Sequence, residues 1–112
     1  MLVVNRFVVA GDDADFRVRA AAALAALAAR PGYVRGRLGR GYDDPTRWTL
    51  LTEWESVGAY RRALSAYEVK VNATPLLAQS LDEPSAFEVL VEAGPDGVVS
   101  TAPSDRASEA AS

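Results

Sequence analysis

The feature that most constrains this chain is a set of strand-forming stretches that are apolar on both of their faces. Residues 2–10, LVVNRFVVA, are rich in β-branched and aromatic side chains, the composition of a strand. Successive side chains of a strand point to opposite faces, so Val3, Phe7 and Val9 lie on one side and Leu2, Val4 and Val8 on the other. Residues 47–54, RWTLLTEW, repeat the pattern with Trp48, Leu50 and Trp54 opposed to Leu51. Residues 85–92, SAFEVLVE, set Phe87, Val89 and Val91 against Leu90. An antiparallel sheet in a small domain commonly keeps one face dry and one wet. This one needs two covers.

Between the strands, two stretches carry helical periodicity. Asp12 or Asp13 can cap a helix whose residues Phe16, Ala20, Ala23, Leu24 and Leu27 share one face, before Arg30-Pro31-Gly32 stops it. Ser56 can cap a second, with Val57, Tyr60, Leu64, Tyr67 and Val71 on its inner face. Residues 33–42, YVRGRLGRGY, read as a glycine-interrupted strand that turns at Asp43-Asp44-Pro45-Thr46 into the next. Residues 72–83 hold Pro75 and room for one extra helical turn.

The order β-α-β-β-α-β predicts an α+β, ferredoxin-like domain, a four-stranded antiparallel sheet with both helices on one face. The second cover is then a second copy of the chain, since closed two-fold dimers are the commonest oligomers. Arg6 and Glu53 interrupt the dimer-facing side, and charges buried there need partners. They are expected to pair within or across the interface. The domain is placed at residues 1–93. Residues 94–112, rich in Gly, Pro, Ser and Asp, read as a disordered tail.

Composition narrows the chemistry. The chain has no cysteine and no histidine, so no thiolate, no usual zinc or haem ligand and no imidazole base is present. No metal or cofactor is expected. Chemistry must rest on Asn, Tyr, Trp, Arg, carboxylates or the substrate's own acidity. A net charge of −3 argues against a nucleic-acid partner, although eleven of the twelve basic residues are arginines and Arg35, Arg37 and Arg40 cluster. The first ten residues lack the features of a signal peptide, and no apolar run is long enough to span a membrane. The expected compartment is the cytoplasm.

Three residues stand out as site candidates. Asn5 is the single amide in an apolar strand. Buried, it must bond either local backbone or the oxygen of a ligand. Trp54 either fills core volume or stacks on a flat ligand with its N–H as a donor. Tyr60 lies one turn into the second helix, and its hydroxyl needs a partner if buried. Tyr33 and Tyr42, near the ends of the second strand, have no strong claim.

The stretches VVNRFVV, PGYVRGRLGR, DDPTRW, TLLTEWESVGAYRRAL and SAFEVLV resemble the antibiotic biosynthesis monooxygenase family over about residues 2–92. The most specific part is Trp54-Glu55-Ser56 with Tyr60 following. The resemblance implies a ferredoxin-like domain whose dimer joins two sheets into one α/β barrel. It also implies enzymes that oxidise phenolic, polyketide-like compounds with O₂ and without metal or flavin. Trp54 and Tyr60 match the family's pocket Trp and the Tyr six residues on. These enzymes also use an Asn four residues before the Trp, where this chain has Leu50. A haem-degrading branch pairs a first-strand Asn and the same Trp with a helix His; Leu64 stands at that place here, so only a tyrosine is left to ligate iron.

The sequence thus predicts a monooxygenase acting with O₂ on a small aromatic or quinol-type substrate. Its catalytic residues are Asn5, Trp54 and Tyr60, and its pocket wall is Phe7, Phe16, Trp48, Leu50 and Leu64. The alternative is a non-catalytic or ligand-binding dimer on the same barrel, since fold does not fix function.

Overall fold

In the computed structural model, residues 1–105 are described. Strand β1 (Leu2–Val8) leads into helix α1 (Ala14–Ala28), and strands β2 (Tyr33–Arg40) and β3 (Arg47–Trp54) follow as a hairpin. Helix α2 (Val57–Leu64) and the short α3 (Tyr67–Asn72) and α4 (Thr74–Leu77) come next, then β4 (Ala86–Phe87). The sheet order is β2-β3-β1-β4, all antiparallel. This is the expected α+β arrangement, with β1 and β3 as central neighbours.

The register places Val3 opposite Thr52, Asn5 opposite Leu50 and Phe7 opposite Trp48. Cross-strand partners share a face, so these residues line the side that the helices cover. Val3, Phe7, Trp48, Leu50, Thr52 and Trp54 are all buried there. From α1 come Phe16, Ala20, Ala23 and Leu27, and from the later helices Ala59, Ala63, Val69, Ala73 and Leu76. Small alanines let the helix axes come close to the sheet.

The start of α1 satisfies the capping expectation in an altered form. Asp12 accepts a hydrogen bond from the Ala14 amide at 3.0 Å. Asp13 holds the N-cap position without a side-chain cap bond; its carboxylate goes instead to Arg17 at 3.1 Å and Arg40 at 3.0 Å. Ser56 caps α2 as predicted, accepting from the Ala59 amide at 3.1 Å.

The inner face of the second helical stretch differs from the predicted one. Ala59 and Ala63 are buried, Tyr60 and Leu64 are half-buried, and Val57, Tyr67 and Val71 are exposed. The helix also breaks: Ser65 and Ala66 amides bond back three residues to Arg62 and Ala63, and the Ser65 hydroxyl takes the Arg62 carbonyl at 2.8 Å. Such tightened turns end a helix, and α3 restarts in a new direction. Gly32 has φ +87° and lies so near Ala59 that a Cβ on it would collide with the alanine's own.

The C-terminal part departs further. Where one strand was expected over residues 85–92, β4 has two residues on β1 and the chain then leaves the sheet. Strands β5 (Val91–Ala93) and β6 (Val99–Thr101) form a separate hairpin. Its turn is Gly94-Pro95-Asp96-Gly97: Gly97 has φ +80°, its amide bonds the Gly94 carbonyl at 3.0 Å, and Asp96 accepts from Val98 at 2.9 Å. Regular structure therefore extends into the stretch expected to be a disordered tail; residues 106–112 of that stretch lie outside the described residues.

The other face of the sheet carries Leu2, Val4, Val8 and Leu51, joined by Phe87 opposite Leu2. Phe87 is 41% exposed and Val8 51%, so the second apolar face exists and the chain's own helices leave it uncovered. Arg6 and Glu53 do not pair with each other within the chain. Arg6 meets Glu83 at 3.3 Å and Glu53 meets Arg35 at 3.7 Å. Both pairs are partly solvated and add little stability. No helix among the described residues is long and apolar enough to cross a membrane.

Candidate active site

Strand β3 sends four side chains to the helix side, and its two tryptophans stand at opposite ends. Six residues separate them, roughly 20 Å along a strand. At one end Trp48 closes an aromatic cluster with Phe16 (centroids 5.3 Å apart) and, through it, Phe7 (5.2 Å). Two guanidiniums, those of Arg17 and Arg40, lie 5.4 Å from the Trp48 ring, bridged by the Asp13 carboxylate. Phe7, Phe16 and Trp48 are thus packed against one another and sealed by the arginines. They form a wall at a distance from Trp54.

At the other end Trp54 packs edge-on against Tyr33 (5.4 Å, 85°) and tilted against Tyr60 (5.5 Å, 54°). Trp54 is 2% exposed, and its indole N–H donates to the Thr52 hydroxyl at 2.9 Å. This donor, proposed from sequence for a ligand, is engaged by its own strand neighbour. The free indole N–H belongs to Trp48, whose Nε1 is buried with no acceptor among the described residues.

Asn5 lies between the two clusters, half-buried, in register with Leu50. Among the described residues its side chain makes no hydrogen bond, so the local-backbone explanation of this amide does not hold in the free chain. Trp54 pairs with the chain start, its amide donating to the Met1 carbonyl at 2.9 Å. Asn5 is four residues along from Met1, roughly 13 Å, and the Trp54 indole leans toward it through the bond to Thr52.

The tyrosines set the electrostatics. Burial raises the Tyr60 hydroxyl above its ordinary range, and the same cause acts on Tyr33. Both are neutral near pH 7, so each hydroxyl has a proton to donate. No described hydrogen bond uses either hydroxyl. Leu64, one turn after Tyr60, is half-buried beside the core.

Sequence reasoning passed over Tyr33. Strict alternation puts it on the face of Arg35 and Arg37, away from the helices. A β-bulge between Tyr33 and Arg35 shifts the register, so that Tyr33 opposes Trp54 while Arg35 opposes Glu53. An extra residue in one strand re-aims the side chains on either side of it. Two clefts, of about 340 and 440 Å³, lie elsewhere: one between Glu55–Val57 and the arm at residues 88–90, one beside Arg40–Tyr42. Neither is lined by Asn5, Trp54 or Tyr60.

Residues 1–71 match the family described as antibiotic biosynthesis monooxygenase, and the chain belongs to that family. Among solved structures, SnoaB from Streptomyces nogalater, described as a cofactor-independent oxygenase, is 35% identical, with 80% of this chain and 94% of that one covered and a TM-score of 0.64. An asparagine-to-alanine variant of SnoaB matches at 36% identity over 71% and 82% of the two chains, TM-score 0.63. A conserved protein from Methanosarcina mazei Go1 shares the fold at 20% identity, covering 76% of this chain and 84% of its own, TM-score 0.61. No functionally curated protein matches the chain.

Proposed function

We propose that this protein is a cofactor-independent monooxygenase that uses O₂ on a small aromatic, quinol-type substrate held between the sheet and the helices. Asn5 carries the reading: an amide on an apolar strand, half-buried and without a hydrogen bond among the described residues. Half-buried, the amide is reachable from solvent in the chain alone and is available to an oxygen of a ligand. Family membership and the 35% identity to an oxygenase support the same reading.

The chemistry suits the side chains at hand. A methylene or ring carbon flanked by phenol and carbonyl groups is acidic enough to lose a proton once its anion is stabilised. Asn5 and Tyr60, both donors, stabilise that negative charge. The proton goes to a water or buffer base, the carbanion passes one electron to O₂, the radical pair combines to a peroxide anion that takes the proton back, and loss of water from the hydroperoxide leaves a carbonyl. One oxygen atom enters the product and one leaves as water. The methylene supplies all four electrons, so no reductant is needed. A dry site protects the radical pair.

Oxygen uptake with anthrone and dihydroxynaphthalenes tests this. Asn5→Ala should lower kcat/KM by about 100-fold, the usual cost of one anion-stabilising donor, while the melting temperature holds because no bond is lost. Trp54→Phe should also lower the rate. Background uptake by the parent, unaltered in both variants, would favour a ligand-binding dimer, a reading to which the engaged Trp54 N–H and the apolar Leu50 lend weight.

The working unit is proposed to be a homodimer joined through the uncovered face of Leu2, Val4, Leu51 and Phe87. Leu51→Glu places a charge at its centre and should dissociate the pair in sedimentation equilibrium. A parent that sediments as a monomer at micromolar concentration sinks this assembly.

A further inference from the structure

Taking the helix-side space as the substrate site, as proposed above, we propose that Tyr33 is a specificity-determining residue of that site, donating its hydroxyl to a second oxygen of the aromatic substrate. Three independent features of the backbone are needed to put it there. The bulge turns Tyr33 from the arginine face to the face of Trp54. Gly32, at φ +87°, brings the chain into β2 tight against Ala59 of α2. Gly36 then leaves room for the hydroxyl itself: a Cβ at Gly36 would stand 2.6 Å from the Tyr33 oxygen and 2.5 Å from Cδ1 of Leu24. Plain ring packing on Trp54 would be served equally by phenylalanine, as the opposite end of β3 shows with Phe16 on Trp48.

The hydroxyl has no hydrogen bond among the described residues, and burial keeps it neutral. Tyr33 and Tyr60 therefore present two donors, both packed on Trp54, with Asn5 as a third group along the sheet. A ligand that uses all three carries oxygens on more than one edge of a flat ring system. Tyr33 sits on the edge strand β2, so its partner is the oxygen remote from the anion held at Asn5. Its contribution is the same in ground and transition state, which shows in KM more than in kcat.

The test is steady-state kinetics of Tyr33→Phe with 1,4-dihydroxynaphthalene and with its monomethyl ether. One neutral hydrogen bond is worth about 1 kcal/mol, or roughly 5-fold in affinity. Tyr33→Phe should raise KM for the dihydroxy compound by about that factor, lower kcat much less, and narrow the preference over the ether. Its melting temperature should match the parent's, since the ring stays. Gly36→Ala, which displaces the hydroxyl while keeping the tyrosine, should reproduce the KM effect. If the parent turns over substrate and Tyr33→Phe leaves every KM unaltered, Tyr33 is a packing residue and only this inference falls. If the parent neither consumes oxygen nor shows quenching of tryptophan fluorescence with any of these compounds, the substrate site itself is wrong and Tyr33 falls with it.

Discussion

The two ends of β3 are built on the same plan and do different things. Each has a buried tryptophan on the helix side, packed at about 5 Å against two aromatic neighbours or near-neighbours. At the Trp48 end the other rings are phenylalanines, and the polar groups, Arg17, Arg40 and Asp13, satisfy one another over the ring. At the Trp54 end the other rings are tyrosines whose hydroxyls make no hydrogen bond among the described residues, and Asn5 lies between the two ends, two residues from the level of Trp48 and four from that of Trp54. Each end keeps some unspent hydrogen-bonding capacity, the buried Trp48 N–H at one and the two tyrosine hydroxyls at the other.

That contrast can be broken most forcefully at Phe16. It is buried and touches both Phe7 and Trp48, so Phe16→Ala should cost about 3–5 kcal/mol in denaturant unfolding, with oxygen uptake per folded molecule kept. A variant of full stability that has lost activity would move the substrate to the Trp48 end. Thr52→Val is a sharper and smaller probe. It removes the acceptor of the Trp54 N–H and leaves a buried donor unpaired, at about 1–3 kcal/mol. It also frees that N–H for a ligand, so the affinity for oxygen-bearing aromatics should rise. Unchanged affinity would show that the indole faces no ligand.

The smallest effect concerns pH. An unfolded tyrosine ionises near 10, and burial holds the native Tyr60 and Tyr33 hydroxyls above that. The native state therefore keeps these protons longer than the unfolded state. The stability linked to them is present below about pH 10 and is lost as pH rises through the native values. Replacing both by phenylalanine should flatten the alkaline fall in melting temperature, and an identical fall in the double variant would mean that other groups govern it.

Much of this could be read in advance, and for definable reasons. Asn5 stood out because an amide among valines is a local anomaly. The Ser56 cap was visible because it depends on four consecutive residues, Ser56 to Ala59. The β5–β6 hairpin was also visible in principle, since Pro95-Asp96-Gly97 between valines is turn chemistry, but the small polar residues around it masked the signal. Tyr33 was hidden for a different reason. A bulge is decided by pairing with another strand, and counting alternate residues along one strand cannot detect it.

The local pattern of the chain thus determined the order of strands and helices, the apolar character of both sheet faces and the place of Asn5 on the helix side, because period and turn chemistry are properties of short segments. Tertiary contact decided which tryptophan keeps a free N–H, which ion pairs Arg6 and Glu53 make, where the second helical stretch breaks, and that Tyr33 faces inward. Each of those depends on a partner distant in sequence or on how closely two backbones can approach, and a glycine or an alanine at the crossing sets that distance.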